Sequence, residues 1–199
     1  MSPATARLGR EFFAQETTKV ARELLGCRLV RIEKRGGKPV RLSGIITETE
    51  AYCGESDLGC HAKAGRTPRT AVLYGPPGVS YVYFTYGMHW LFCAVTRPEG
   101  QPEAVLVRAI EVEEGIELVA KRRGKVAQKH RTDGPAKLTQ AFNIKGKHNQ
   151  LDLTTPEAII FIESGERIPD ERVSVGPRIG LFTVPEPWKS KPWRYLVTP

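Results

Sequence analysis

Cys27-Arg-Leu-Val-Arg-Ile-Glu33 and Val40-Arg-Leu-Ser-Gly-Ile-Ile-Thr-Glu48-Thr-Glu50-Ala-Tyr52 lie either side of Lys34-Arg-Gly-Gly-Lys-Pro39. Both runs alternate apolar and polar residues around a glycine-rich turn, the pattern of a β-hairpin. This places Glu48 and Glu50 toward the end of a strand. Just before it, Thr17-Thr18-Lys-Val-Ala-Arg-Glu-Leu-Leu-Gly26 predicts a helix, with a Thr at its start and Gly26 as its stop.

Beyond the hairpin, Ala64–Thr70, with Lys63 just ahead of it, carries Gly65, Arg66, Pro68 and Arg69 without periodicity and reads as a basic loop. Pro76-Pro77-Gly78 punctuates the chain before a strand over Val79–Tyr86, and Ala104–Glu111 predicts another. Two helices follow, one over Glu113–Arg123 and one opening at Asp133-Gly-Pro135, where Asp133 can cap and Pro135 fits the first turn. Ala158–Glu163 and Trp193–Val197 read as late strands. The mixture lacks regular βαβ alternation, internal repeats or a long linker, so one α+β domain on an antiparallel sheet is expected across residues 1–199.

The 199 residues include 30 Lys+Arg against 22 Asp+Glu, a formal +8, with 40% hydrophobic residues, enough for one sizeable core. Such a charge favours a polyanionic partner, because neutralising phosphates releases counterions, although basic metabolic proteins share it. Cys27, Cys53, Cys60 and Cys93 form no C-x-x-C pair, so reduced thiols in a cytosolic compartment are expected, nucleoid-associated in a bacterium. The start of the chain shows no secretory signal. Trp90–Val95, the longest apolar run, is too short to span a bilayer, so no membrane partner is expected.

Side chains two apart on a strand share a face, so Glu48, Glu50 and Tyr52 project together while Thr47, Thr49 and Ala51 oppose them. Taken alone, the carboxylates equally fit a solvated strand edge. Against an apolar ring such as Tyr52, a carboxylate becomes a better base, because desolvation disfavours its charge. In Tyr81-Val-Tyr83-Phe-Thr-Tyr86-Gly-Met88, Tyr81 and Tyr83 share one face and Tyr86 takes the other, beside a glycine turn. Such rings ordinarily pack a core; they also suit stacking on a base and wedging the gap it leaves. His61 beside Cys60 fits no zinc spacing, and no phosphate-binding glycine loop occurs. Arg108, within Val105-Leu-Val-Arg-Ala-Ile110, needs an acidic partner if buried. Lys137 and Lys121-Arg122-Arg123 are phosphate-contact candidates or ordinary surface.

The ordered set Glu48-Thr-Glu-Ala-Tyr52, His61, Arg66-Thr-Pro-Arg69, Tyr81-Val-Tyr83, Tyr86-Gly-Met88, Val107-Arg-Ala109, Gly134-Pro-Ala-Lys-Leu138 and Arg178-Ile-Gly180 resembles the alkyladenine (3-methyladenine) DNA glycosylase family. The match runs from about Phe12 to Tyr195. It implies a curved antiparallel sheet with flanking helices and a protruding hairpin that enters DNA. It further implies a monomer acting on double-stranded DNA with damaged purines, and no metal or organic cofactor.

Carried onto this chain, the resemblance makes Glu50 the base that activates a water, held also by Arg108 and the main chain at Ile179. Tyr52, His61 and Tyr83 become the pocket for a flipped base, Cys93 and Ile179 part of its wall, and Tyr86 the wedge. Arg66, Arg69, Met88, Lys137 and Gly180 become backbone contacts. Alkylated purines carry positive charge, so their glycosidic bond is weakened and aromatic rings favour them. One carboxylate then suffices as base and as stabiliser of the sugar cation. The implied enzyme is monofunctional, since nothing demands a Schiff-base lysine, with Lys137 the candidate for an incidental lyase step.

Where the family often carries an asparagine that obstructs the 2-amino group of guanine, this chain has Cys93, a smaller and weaker donor. Two other readings of the same residues are a nucleic-acid-binding protein without catalysis and a small-molecule hydrolase on a basic scaffold.

Overall fold

A computed structural model describes residues 6–198. Gly36 and Gly37 both adopt positive φ (53° and 78°) and close a two-residue turn between β1 (Arg28–Arg35) and β2 (Lys38–Cys53), which pair from Arg35↔Lys38 to Arg28↔Ile45. Positive φ at both central positions matches the right-handed twist of the strands, which is why glycine stands at each. The expected hairpin is therefore present.

The chain continues through β3 (Ser80–Thr85), β4 (His89–Thr96), β5 (Glu103–Glu114), β6 (Ile160–Glu163), β7 (Val173–Gly176) and β8 (Arg194–Val197). These complete one eight-stranded antiparallel sheet in the order β3-β4-β5-β2-β1-β6, with β8 joined to β2 and β7. The helices are α1 (Arg10–Phe13), α2 (Thr17–Glu23), α3 (Ile116–Arg123) and α4 (Pro135–Ala141). The expected α+β class on an antiparallel sheet is the class observed.

β2 organises the site. Its first half pairs with β1, whereas beyond Ile46 that edge is taken by β8 through Glu48↔Leu196 and Glu50↔Arg194. The other edge stays on β5, with register shifts around Glu48 that mark a bulge; bulges bend a strand and give a sheet curvature. Glu48 and Glu50 therefore lie on a strand paired at both edges. The solvated-edge reading fails for that reason, and both carboxylates are buried.

The two faces of the β3–β4 pair feed two cores. Val82, Phe92 and Ala94 join the main core under α2 and α4, with Phe13, Leu24, Leu29 and Phe142. Tyr81, Leu91 and Cys93 face a second cluster with Cys60, Leu73 and Leu106, against which Tyr52 and Tyr83 pack. Removing Phe92 from water contributes roughly 1.5–3 kcal/mol.

Several expectations are corrected. The helix expected from Glu113 starts at Ile116, because β5 runs on to Glu114, whose carboxylate accepts from Ser43 and Arg41 across the sheet. Asp133 makes no cap: Gly134 precedes α4, and Asp133 pairs instead with His130 and Lys137. The helix cap at α2 comes from Glu16, which accepts from Thr18 N–H, rather than from a Thr. The strand expected from Ala158 begins at Ile160. The sequence reading missed β4, β7 and α1.

Candidate active site

Glu50 sits near the end of β2 with 0% of its surface exposed. Its Oε1 accepts from the Ile179 N–H at 2.7 Å and lies 3.3 Å from Arg108 Nη1; its Oε2 accepts from the Tyr52 hydroxyl at 2.9 Å. Burial pushes the Glu50 carboxyl above its usual range, with Arg108, the Ile179 N–H and Tyr52 opposing and the Glu48 charge adding to the rise. The alternation along β2 explains the grouping: Glu48, Glu50 and Tyr52 share the face expected, and Arg108 reaches that face from the adjacent β5. Glu48 Oε1 accepts from Arg108 Nε at 3.0 Å.

Arg108 is buried, and Glu50 and Glu48 outweigh the cost of that burial, so its pKa rises and it stays charged. The acidic partner that an interior arginine requires is thus a pair of carboxylates.

Three partners of Glu50, namely Tyr52, Arg108 and Ile179, line a cavity of about 440 Å³ together with His61, Tyr81, Tyr83 and Cys93, with the exposed Tyr86, Gly180 and Phe182 also on its lining. That volume falls within the range of small-ligand sites. The Tyr81 and Tyr83 rings are stacked, 5.1 Å between centroids at 27°, and His61 stands edge-on to Tyr83 at 4.7 Å and 83°. His61 Nδ1 is 2.9 Å from the Tyr81 hydroxyl. Burial, with Arg69 and Lys63 nearby, lowers the His61 pKa to about 4, so the ring is neutral at pH 7. Cys93, opposite Tyr81 in the β3–β4 register, is buried, and that burial raises its thiol well above the usual range. It is a protonated, uncharged part of the wall.

Tyr86 forms the tip of the β3–β4 hairpin at φ 50° with 77% of its surface exposed, and Met88 beside it is 66% exposed. The Tyr86 hydroxyl lies 4.0 Å from where a Cβ on Gly180 would stand, so the hairpin tip and the Ile179 loop meet. Arg69 donates to Phe84 O and lies over the Tyr83 ring at 5.5 Å; Arg66 lies over Tyr74 at 5.8 Å. Lys137, one turn into α4, pairs with Asp133 at 2.7 Å. Among the described residues, no group of three or more His, Cys, Asp or Glu side chains could hold a metal ion, and no helix is long and apolar enough to cross a membrane.

The sequence reading gave no role to three contributors, one of which, Arg178, it quoted only within a motif. Asp57 and Arg178 form a fully buried pair, with Arg178 Nη2 donating to Asp57 Oδ1 at 2.8 Å. Arg178 also donates to Ala51 O at 3.0 Å and lies 4.7 Å over the Tyr52 ring, and so fixes the backbone that presents the Ile179 N–H. A Cβ at Gly59 would stand 2.7 Å from Arg178 Nη2, so only glycine permits this approach. The third, Phe182, is 81% exposed on the cavity lining. Asp57 lies between Gly54 and Gly59 and Phe182 in a proline-rich tail, and nothing local in the sequence distinguishes either.

Comparison with known proteins decides the family. Residues 11–199 match the family described as methylpurine-DNA glycosylase (MPG). The chain belongs to the methylpurine-DNA glycosylase family. It is 44% identical over 190 residues to a protein of Myxococcus xanthus, covering 96% of this chain and 89% of that one. It is equally 44% identical over 190 residues to one of Carboxydothermus hydrogenoformans, covering 96% and 94%, and 43% identical over 200 residues to one of Clostridium acetobutylicum, again covering 96% and 94%. All three are provisionally named 3-methyladenine DNA glycosylase.

Proposed function

We propose that this methylpurine-DNA glycosylase family member flips alkylated or deaminated purines from duplex DNA into the aromatic cavity and hydrolyses the N-glycosidic bond with a water activated by Glu50, leaving an abasic site. The observation that carries this reading is the fully buried Glu50 carboxyl, its pKa raised, held by Tyr52, Arg108 and Ile179, which themselves line a base-sized cavity with Tyr81 and Tyr83.

A carboxylate offers about four lone-pair positions. At Glu50, the Ile179 N–H occupies one on Oε1 and the Tyr52 hydroxyl one on Oε2, and the Arg108 guanidinium stands 3.3 Å from Oε1 as an ion pair. The position left on Oε2 is where the proton of a water attacking C1′ is accepted. As the glycosidic bond breaks, the sugar gains positive charge, and the negative Glu50 stabilises it in a site shielded from solvent. Tyr52 and Tyr83 hold the flipped base, whose positive charge is attracted to electron-rich rings and already weakens the bond to be cut. His61 is neutral at pH 7 and acts as a hydrogen-bonding contact to the base edge rather than as a proton donor.

Tyr86, exposed at the hairpin tip, fills the gap the base leaves, and a stacked ring offsets part of the unstacking cost of a few kcal/mol. Arg66, Arg69, Met88, Lys137 and the Gly180 N–H serve the DNA backbone, with Lys137 sharing its charge with Asp133. Cys93 sets the shape of the wall at the base's minor-groove edge, and its small thiol admits a 2-amino group more readily than an asparagine would. Cys93→Asn is expected to lower excision of 7-methylguanine relative to hypoxanthine; identical profiles would remove Cys93 from the specificity account.

The test uses duplexes each holding one lesion: 3-methyladenine, 7-methylguanine or hypoxanthine. The expected result is free base with alkali-sensitive abasic sites, and binding that weakens steeply with salt. Lesion binding with no base release would favour the non-catalytic binder, and cleavage of free nucleosides without salt dependence the small-molecule hydrolase.

A further inference from the structure

Glu48 is the carboxylate the proposed chemistry leaves unused, yet it holds Arg108 more closely than Glu50 does. Its Oε1 accepts from Arg108 Nε at 3.0 Å and from Arg194 Nη1 at 3.1 Å. Arg194 arrives from β8, and its Nε donates to Pro177 O at 2.9 Å. Pro177 lies two residues before Ile179, whose N–H holds Glu50 Oε1 at 2.7 Å, the same oxygen that Arg108 Nη1 approaches at 3.3 Å. The contacts close a ring from Glu50 through the 177–179 segment, Arg194, Glu48 and Arg108 back to Glu50.

We propose that Glu48 is the positioning residue of this site: with Arg194 it clamps the 177–179 segment and keeps Arg108 end-on to Glu50 Oε1, leaving Oε2 free for the nucleophile. The inference rests on the glycosylase reading of Glu50. A guanidinium beside a lone carboxylate settles into a two-bond fork that engages both oxygens. Here Glu48 takes the Nε edge, so a single Nη1 contact reaches Glu50. Without the Glu48 charge, Arg108 would turn onto Glu50 fully, occupy Oε2 and weaken the base. Glu48 is buried with both of its hydrogen-bonding partners, Arg108 and Arg194, on the same oxygen, which fits a role through Arg108 rather than on substrate.

The groups facing Glu50 are Glu48 and Tyr52 from its own strand, Arg108 from β5, Tyr83 from β3, Cys93 from β4 and Arg178 from the loop. Of these, the Glu48 charge raises the Glu50 pKa and Arg108 lowers it. Glu48→Gln removes the raising charge and tightens the lowering one, so both changes move the Glu50 pKa down.

The test is single-turnover excision from a one-lesion duplex across pH, alongside lesion-DNA affinity. For Glu48→Gln the plateau rate is expected to fall about ten- to a hundredfold through misplacement of the reacting groups. The acid limb should move to lower pH while affinity holds. Arg194→Met, at the partly exposed end of the ring, should also slow excision, and the double variant should lose less than the two singles combined. A Glu48→Gln protein with wild-type rate and an unmoved acid limb would overturn the proposal, as would fully additive losses in the double variant. Wild-type protein that releases no base from any lesion duplex would instead overturn the glycosylase reading itself.

Discussion

The wall behind the cavity and its rim are built on opposite terms. The wall gathers Glu48, Glu50, Asp57, Arg108 and Arg178, every one buried, on the paired strands β2 and β5 and the loops they anchor. The rim carries Tyr86, Met88, Ile179 and Phe182, large apolar residues left in solvent at the tip of a hairpin and along one loop. Buried ions are costly unless each has partners, so the wall is rigid because its charges interlock. Exposed apolar groups cost little to the fold itself and are available to a partner. Under the proposed function, the wall carries the chemistry and the rim engages DNA. Substitutions should therefore separate: wall variants change stability and rate, rim variants change affinity alone.

The largest expected effect is at Asp57. Asp57→Ala leaves Arg178 buried without its carboxylate and should lower unfolding free energy by about 3–5 kcal/mol in urea titration. A loss within experimental error would mean that the wall is not held by its charges. Tyr86→Ala should weaken lesion-duplex binding by roughly 1–3 kcal/mol, the range for a base–aromatic stack, with an unchanged melting temperature. A lowered melting temperature would move Tyr86 from rim to scaffold. Phe182→Ala should weaken the same binding by about 1 kcal/mol, as a peripheral contact around a stronger anchor; no change would make the rim one-sided.

The smallest effect is a pH slope. The His61 pKa is about 4 when folded against 6.5 for a free side chain, so the unfolded chain takes up a proton first as pH falls. The His61 contribution to stability should therefore decline from about pH 6.5 down to about pH 4, and His61→Asn should flatten the slope across that window in part, because His148 behaves alike. An unchanged slope would show His61 to be freely solvated.

The same contrast explains what the sequence revealed. The β1–β2 hairpin was legible because alternation and two adjacent glycines act locally, and the shared face of Glu48, Glu50 and Tyr52 followed from period two. The bulge near Glu48 has no residue signature, and neither does the exchange of β1 for β8 along one edge of β2, so the carboxylates equally fitted a solvated edge. β4 escaped notice because a strand covered on both faces shows an apolar run rather than alternation. β5 was cut short because its last turn of sequence, Glu111–Glu114, is polar like a helix start. Register brought Glu50 and Tyr86 forward as candidates, and resemblance to a family gave them their separate roles. The Asp57–Arg178 pair joins residues 121 apart, and no single-sequence pattern reports such a contact.

Central to the account is the division of labour between Glu50 in the wall and Tyr86 on the rim. Its most direct test is single-turnover base release from one lesion duplex at saturating protein, for Glu50→Gln and Tyr86→Ala side by side with wild type, with affinity measured on the same duplex. Glu50→Gln should bind as wild type does and lose at least roughly a hundredfold in base release, the low end for a positioned general base. Tyr86→Ala should bind more weakly. Base release from Glu50→Gln at the wild-type rate would contradict the account.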